Sequence, residues 1–288
     1  MHLLASQPGG FVDTEGIVDL CQSAADMVIL SAADSSLTAL ASAAESMPAD
    51  FPSLRLANWM HLLKPAAFDL YREKVLDKAR LVVVSLLGGK SYWEYGFEQL
   101  QHWSLQNGSL QNGSLKNGSL QNRSVQTGAE QTAAAHSRWL ILVPGDDTAD
   151  PQLFNASTVA AAQAHRVWRY LRESGVENCR QLLQYLASEF LQKNYRWQEP
   201  RALPPCLVYL PAAMQKAGGG EHWRDGLAQW RAHWRRDNRR AAAEKAPSVC
   251  MLLFYRSHLQ SADTAMFDAL IECVEEQGLS PLEQFRWC

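Results

Sequence analysis

The first half of the chain alternates short, continuously apolar runs with amphipathic segments of helical length. Segments such as SLTALASAAES and AAFDLYREKVLDKA separate the runs and have the composition of helices. Strands that are apolar throughout need cover on both faces, which is the arrangement of a parallel sheet with flanking helices. The sequence therefore predicts an α/β fold, with strands at 2–5, 27–32, 54–58, 81–87 and 139–145.

The predicted N-terminal α/β domain, with its Rossmann-like sheet, spans residues 1–155. A low-complexity insertion interrupts it at 104–136, where Ser-Leu-Gln/Lys-Asn-Gly repeats every five residues. That period fits neither a helix nor a strand, and Asn-Gly pairs favour turns, so we interpret the insertion as a flexible surface expansion.

Two further regions follow the α/β domain. Residues 156–245 are predicted to be a mostly helical connecting region, with a break at Gly175 and a Trp/Arg-rich helix near its end. Residues 246–288 contain a strand, a helix with Asp263 as the expected N-cap, and the first residues of another strand. Two strands and one helix are too few to bury their own apolar faces. We therefore expect this second α/β unit either to join the first sheet or to be truncated.

Composition and charge narrow the functional classes. The chain is 47% hydrophobic and 20% charged with a net charge of −3, which does not indicate a nucleic-acid-binding protein. No apolar run approaches the roughly 20 residues that span a bilayer, and the start lacks the pattern of a signal peptide, so a cytoplasmic location without membrane contact is expected. The six cysteines form no C-x-x-C pair, which argues against a zinc ribbon.

The stretch LVVVSLLGGKSYWEYG, residues 81–96, ends a predicted strand with the second half of a phosphate-binding loop. The full loop pattern requires a glycine at position 84, where this chain has Val84. We therefore interpret Gly88 and Gly89 as a sharp turn with positive φ, followed by a helix with Ser91 as its N-cap. Nucleotide binding remains an alternative at this site.

Polar residues that follow the predicted strands are the other candidate ligand-binding groups, since open α/β sheets bind ligands beyond the carboxyl ends of their strands. Asp34 follows the second strand, and Asp146 and Asp147 follow the fifth. The adjacent carboxylates can hold a hard cation, act as acid and base, or serve as turn and helix-cap residues. Arg256 and His258 follow the late strand and are candidates for an anionic ligand. The sequence contains no complete catalytic or metal-binding motif, so no catalytic residue is assigned.

Three tryptophans mark the Trp/Arg-rich helix as a candidate surface for partner binding. Trp223, Trp230 and Trp234 recur at spacings that place them on one helical face, with arginines elsewhere. The simpler interpretation is a helix docked on this protein's own core with a solvated basic side.

Long segments of the chain together resemble the N-terminal region of the large subunit of aerobic cobaltochelatase, the CobN type, which is related to the large subunit of magnesium chelatase. The segments are MHLLASQPGGFVDTEGIVDLCQSAADMVILSAADSSL, PSLRLANWMHLLKPAAFDLYREKVLDKARLVVVSLLGGKSYWEYGFEQL, WLILVPGDD, VWRYLRESGVENCRQLLQYLA and LLFYRSHLQSADTAMFDALIECVEEQGLSPL. The resemblance covers nearly all of the chain except the insertion and residues 212–245.

The resemblance implies ATP-dependent insertion of Co²⁺ into a corrin ring, hydrogenobyrinic acid a,c-diamide, during cobalamin biosynthesis. It also implies AAA+ ATPase partner subunits that carry the ATP, and a tetrapyrrole substrate bound by the full-length subunit. This segment is then expected to be a head without chelatase activity of its own. The alternatives are a stand-alone α/β nucleotide or sugar-phosphate enzyme, and a non-catalytic interaction module.

The chain departs from the family pattern at two places. Cys21 stands where the family leads us to expect glycine, and Ser174-Gly175-Val176 stands where the family favours Gly-Gly-Pro.

Overall fold

The structure is a computed structural model that describes residues 17–105, 138–202, 206–210, 226–232, 249–261 and 263–286. Its strands and helices, in chain order, are β1 (Met27–Ser31), α1 (Asp34–Glu45), β2 (Leu54–Asn58), α2 (Pro65–Lys74), β3 (Leu81–Leu86), α3 (Glu94–Leu105), β4 (Trp139–Pro144), α4 (Pro151–Asn155), α5 (Ala161–Glu173), α6 (Val176–Leu191), β5 (Cys206–Val208), β6 (Val249–Phe254), α7 (Arg256–Gln260), α8 (Ala265–Glu276) and β7 (Ser280–Arg286). Residues 226–232 are also helical. The predicted strand at 2–5 and the repeats of the insertion lie outside the described residues.

The chain folds into two compact units. The first comprises the residues up to Ala32, Pro52–Pro144 and Asp150–Ala160, and the second comprises Ala33–Phe51, Gly145–Ala149 and the residues from Ala161 onward. The predicted domain boundaries after residues 155 and 245 remain predictions.

The first unit is built on a four-stranded sheet in the order β2-β1-β3-β4. All its neighbouring strands run parallel, with Met27 of β1 in register with Leu54 of β2 and with Leu81 of β3. Every residue of β1 and β3 is buried, including those that point to opposite faces. The predicted α/β class and its parallel sheet with flanking helices are therefore confirmed.

Helices α2, α3 and α4 cover one face of this sheet. Phe68 of α2, Phe97 of α3 and Leu153 of α4 belong to the same buried cluster as Val28 and Val84 of the strands. Six of the twenty buried residues of the cluster are aromatic, and two of them form a tight pair. The rings of Trp59 and Trp93 stack with centroids 5.2 Å apart, and the Nε1–H of Trp59 donates to the carbonyl of Ser85 at 2.8 Å.

The helical part of the second unit contains α1, α5 and α6, and Gly175, with φ of +83°, separates the last two as predicted. Asn178 of α6 fixes the chain that follows this helix. Its Nδ2 donates to the carbonyls of Ser174 and Arg201, and its Oδ1 accepts from the backbone N–H of Arg201, all at 2.9 Å. These bonds satisfy a buried amide completely, which makes it a structural anchor.

The second unit also contains a three-stranded sheet in the order β5-β7-β6. Strand β7 runs parallel to β6 and antiparallel to β5. Helix α8 packs on one face through Phe267 and Ile271, which contact Tyr209 and Phe254. The predicted second α/β unit is present, and it forms its own sheet instead of joining the first.

Helix α8 corrects the capping prediction made for its first turn. Its N-cap is Thr264 and not Asp263, since the helix begins one residue later than the Asp263 cap requires. Gly278, with φ of +72°, lies just past its end, where a left-handed glycine is expected.

Two non-glycine residues adopt the left-handed backbone region at the places where the family pattern differs from this chain. Cys21 has φ of +52° and Ser174 has φ of +51°. Glycine adopts this region without the steric cost that a Cβ brings. The departures noted from the sequence therefore place mild backbone strain at these two positions.

Among the ranges described, no helix combines the length and apolar character required to cross a membrane.

Candidate functional site

The residues Gly88 and Gly89 form the turn that the sequence predicts. Their φ values are +80° and +74°, and a Cβ on Gly88 would lie 3.3 Å from the side chain of Tyr92. A 3₁₀ helix at Lys90–Tyr92, whose N-cap is Gly89, follows the turn, and α3 begins only at Glu94. The expected N-cap role of Ser91 is therefore wrong, because the 3₁₀ turn takes up the residues that a longer helix would have used.

The surroundings of Lys90 support the turn interpretation over a phosphate loop. Its Nζ lies 3.9 Å from Oε1 of Glu98 and 5.2 Å from the ring centroid of Phe97. Glu94 places a carboxylate in the first turn of α3. A phosphate needs an uncovered helix N-terminus and a lysine directed at it, whereas negative charge in the first turn repels it.

The Asp146 carboxylate stabilises a turn after β4. Its Oδ1 accepts from the backbone N–H of Thr148 at 3.0 Å, and its backbone carbonyl accepts from Nε1 of Trp168 at 3.0 Å. Asp147 is exposed beside it. In the described part of the chain, no three His, Cys, Asp or Glu side chains group as metal ligands. A ligand role for the two carboxylates stays a prediction.

A polar groove of about 440 Å³ lies within the second unit, between α1 and the α7 region. Its lining carries hydroxyl, carboxylate and imidazole groups, supplied by Asp34, Ser35, Thr38, Ser42, Ser257, His258, Ser261 and Asp263. Asp34 and His258, which the sequence analysis placed after two different strands, therefore lie in the same groove.

The α7 wall of the groove is held by a network of short hydrogen bonds. The carbonyl of His258 accepts from the N–H of Asp263 at 3.0 Å and from Oγ of Ser261 at 3.1 Å. Nε2 of Gln260 donates to the carbonyl of Glu173 at 2.9 Å, which attaches α7 to the end of α5. The imidazole of His258 packs edge-on against Phe267, with centroids 5.1 Å apart. Packing and hydrogen bonds thus hold this wall from both sides.

The α1 wall presents side chains that recur every four residues. Asp34, Thr38 and Ser42 fall at i, i+4 and i+8 and so share one helical face. The hydroxyl of Thr38 donates to the carbonyl of Asp34 at 2.9 Å. Hydroxyls both donate and accept, and two carboxylates accept only, so the groove suits a group with N–H donors or positive charge better than an anion.

Of the predicted pair Arg256 and His258, only His258 can be placed, because the side chain of Arg256 lies outside what the structure describes. Arg256 is the first residue of α7, and His258 lines the groove two residues later. The carboxylates of the groove weigh against the anionic ligand suggested by this pair.

Of the tryptophan face, Trp230 is half-buried in the helical residues 226–232, whereas Trp223 and Trp234 lie outside the described residues. The predicted partner-binding role of the three rings stays a prediction.

Sequence reasoning missed the hydroxyl groups of the groove. Ser35, Thr38 and Ser42 belong to no recognised motif, and each is common on a solvated helix. The four-residue recurrence in α1 is the signal that marks a polar face. Only the packing of α7 beside it turns that face into a groove.

Comparison with known proteins finds similar sequences over nearly the whole chain. Residues 168–286 match the family described as CobN/Magnesium Chelatase. The chain is 41% identical over 98% of its length to the aerobic cobaltochelatase subunit CobN of Pseudomonas aeruginosa, and 32% identical over 99% to that of a Sinorhizobium species. It covers 19% of each of these relatives, or about a fifth of their length.

A solved structure, the catalytic subunit of cobaltochelatase from Mycobacterium tuberculosis, has the same fold over 90% of this chain and 16% of its own, with a TM-score of 0.55 and 23% identity. The structural comparison and the sequence identities thus indicate the same group of proteins. The chain matches CobN subunits over nearly all of its own length and the CobN/magnesium chelatase family over residues 168–286.

Proposed function

We propose that this chain is part of the large subunit of an aerobic cobaltochelatase, which inserts Co²⁺ into a corrin ring in cobalamin biosynthesis. The observation that carries the proposal is the 41% identity to a subunit named aerobic cobaltochelatase CobN, which extends over 98% of this chain. Identity over nearly the whole length supports a shared role far better than a short motif does, because motif matches have a substantial false-positive risk.

The proposed substrates are Co²⁺ and hydrogenobyrinic acid a,c-diamide, and the proposed partners are AAA+ ATPase subunits that bind and hydrolyse ATP. Metal insertion requires removal of water from Co²⁺, removal of the pyrrolic protons and distortion of the ring. Conformational work from a partner ATPase can supply the distortion. Since the chain spans about a fifth of its relatives, we propose that it forms an α/β head of the subunit and is inactive alone.

A segment exchange tests this function. Residues 1–288 replace the matching stretch of the Pseudomonas aeruginosa CobN subunit, and cobalt insertion is measured with the ATPase partners, ATP and the corrin substrate. We expect the chimera to retain activity within about tenfold of the parent, because the two segments share fold and 41% of their residues.

The control replaces the same stretch with a polar linker and is expected to lose activity. A chimera that is folded, assembles with the partners and inserts no cobalt contradicts the proposed shared function. Cobalt insertion by the 288-residue chain with the ATPase partners contradicts its proposed inactivity alone.

A further inference from the structure

Strand β6 and the residue that follows it carry a row of large apolar side chains that are exposed to solvent. Val249, Met251, Leu253 and Tyr255 are 54%, 55%, 65% and 70% exposed, and we call these four residues the apolar row. Phe254, which lies between the last two, is only 7% exposed and stacks on Phe267 of α8 with centroids 4.3 Å apart. Because alternate residues of a strand point to opposite faces, the row lies on the face of the sheet opposite α8.

The strand register identifies which part of this face is already covered. Val208 of β5 pairs with Gln284 of β7, and Gln284 pairs with Leu253 of β6. Residues that pair laterally across a sheet share a face, so Val208 and Leu253 point the same way. Val208 is 8% exposed, whereas Leu253 is 65% exposed. One edge of the face is therefore buried and the other is open.

The helical residues 226–232 account for the buried edge. A Cβ on Gly226 would lie 2.8 Å from the backbone oxygen of Val208 and 3.2 Å from its Cβ, so this helix contacts β5 directly. Strands lie roughly 4.8 Å apart, which puts β6 about 10 Å from β5. A helix is about 10 Å wide with its side chains, so one helix over β5 leaves the apolar row uncovered and leaves room for a second.

The two segments that adjoin the helical residues 226–232 in the sequence have compositions poorly suited to cover the row. Residues 233–248, HWRRDNRRAAAEKAPS, carry four arginines, and residues 211–225, PAAMQKAGGGEHWRD, combine a glycine run with charges. An apolar row of four large side chains needs an apolar partner face, because a buried unpaired charge is costly. The relatives supply a source, since this chain spans only 19% of their length.

We propose that the apolar row is the docking face for an amphipathic helix from the part of the chelatase large subunit that lies outside residues 1–288. Parallel strand pairs such as β6 and β7 are normally covered on both faces. A row of this size exposes a few hundred Å², less than the roughly 800 Å² per partner of a standard interface between separate proteins. A helix of the same subunit binds such a small face readily, because tethering raises its effective concentration.

The inference rests on the proposed function and on the length of the relatives, and its test has a readout independent of cobalt insertion. Leu253→Cys and, separately, Met251→Cys are introduced into the purified large subunit and into the 288-residue chain. A maleimide reagent then labels the native proteins, and the rate at each cysteine is read by peptide mass spectrometry. The native Cys273, exposed on α8, is the matched reference for reagent activity.

We expect labelling at positions 251 and 253 to be at least tenfold slower in the large subunit than in the 288-residue chain, in which both should react about as fast as Cys273. Equal rates in the two proteins would overturn the proposal. Slow labelling in the 288-residue chain would also overturn it: if the protection grows with protein concentration, a second copy covers the row, and if it does not, residues within 1–288 cover it.

Discussion

Replacing Gly96 by alanine tests the glycine at which an added Cβ would have the least space among the described glycines. A Cβ at this position of α3 would lie 2.0, 2.3 and 2.5 Å from three atoms of the Trp93 indole. That ring cannot simply swing away. It is 2% exposed, stacks on Trp59 at 5.2 Å, and donates from Nε1 to the carbonyl of Leu62 at 3.2 Å.

The expected change in the free energy of unfolding is the balance of a helix-propensity gain and a packing cost. Alanine favours a helix over glycine by up to about 1 kcal/mol. Overpacking a rigid core costs about 1–3 kcal/mol, and disturbing the tryptophan pair costs about 0.5–1.5 kcal/mol. The net expectation is that Gly96→Ala lowers the free energy of unfolding by about 2 kcal/mol, although helix propensity alone predicts the opposite sign.

Urea unfolding followed by tryptophan fluorescence measures this change in the 288-residue chain. The double variant Gly96→Ala/Trp93→Ala serves as the control, since without the indole the new methyl group has space. Relative to Trp93→Ala alone, the control should be no less stable. A single variant Gly96→Ala that is as stable as the parent, or more stable, would refute the reasoning.

Four further outcomes are expected. Asn178→Leu should lower the free energy of unfolding by about 3 kcal/mol, because it removes all three hydrogen bonds that this buried amide makes to the backbone of Ser174 and Arg201; unchanged urea unfolding would show that water replaces the amide. Cys21→Gly should raise the free energy of unfolding by up to about 1 kcal/mol, whereas Cys21→Ala should not, because only glycine relieves the strain at φ of +52°. Equal urea unfolding midpoints for the two variants would contradict this. Burial raises the pKa of the Cys179 thiol from 9.0 to about 12, so between these pH values the folded state keeps a proton that the unfolded state loses. The free energy of unfolding should therefore fall as pH rises from about 9 toward 12, and it should fall less in Cys179→Ala. Thr38→Trp, which fills the polar groove, should leave the unfolding midpoint unchanged but lower cobalt insertion by the large subunit with its ATPase partners at least tenfold. Ala162→Trp, at an exposed position of α5 outside the groove lining, should not; equal activities would show that the groove has no part in the reaction.

Several features followed from the sequence because they depend on neighbouring residues. The apolar runs predicted the parallel sheet, since a strand buried on both faces has no polar alternation. The Gly88-Gly89 pair predicted a turn with positive φ, because glycine tolerates that backbone region. The family resemblance rested on long ordered segments, and the identities to two CobN subunits confirm it.

Other features depended on residues that are distant in sequence, and only the tertiary structure decided them. The sequence named Asp34 and His258 separately, but their meeting in one groove depends on the packing of α7 beside α1.

Strand β6 shows most clearly which features depend on local sequence and which depend on tertiary packing. Its apolar composition is visible in SVCMLLFYRS and predicts a buried strand, but composition alone does not say which face is buried. The register with β7 and the position of α8 decided that Phe254 is enclosed and Leu253 is exposed. The sequence determines that a strand forms here, because strand propensity is local. Tertiary packing determines which face is covered, because burial depends on elements brought together from elsewhere in the chain.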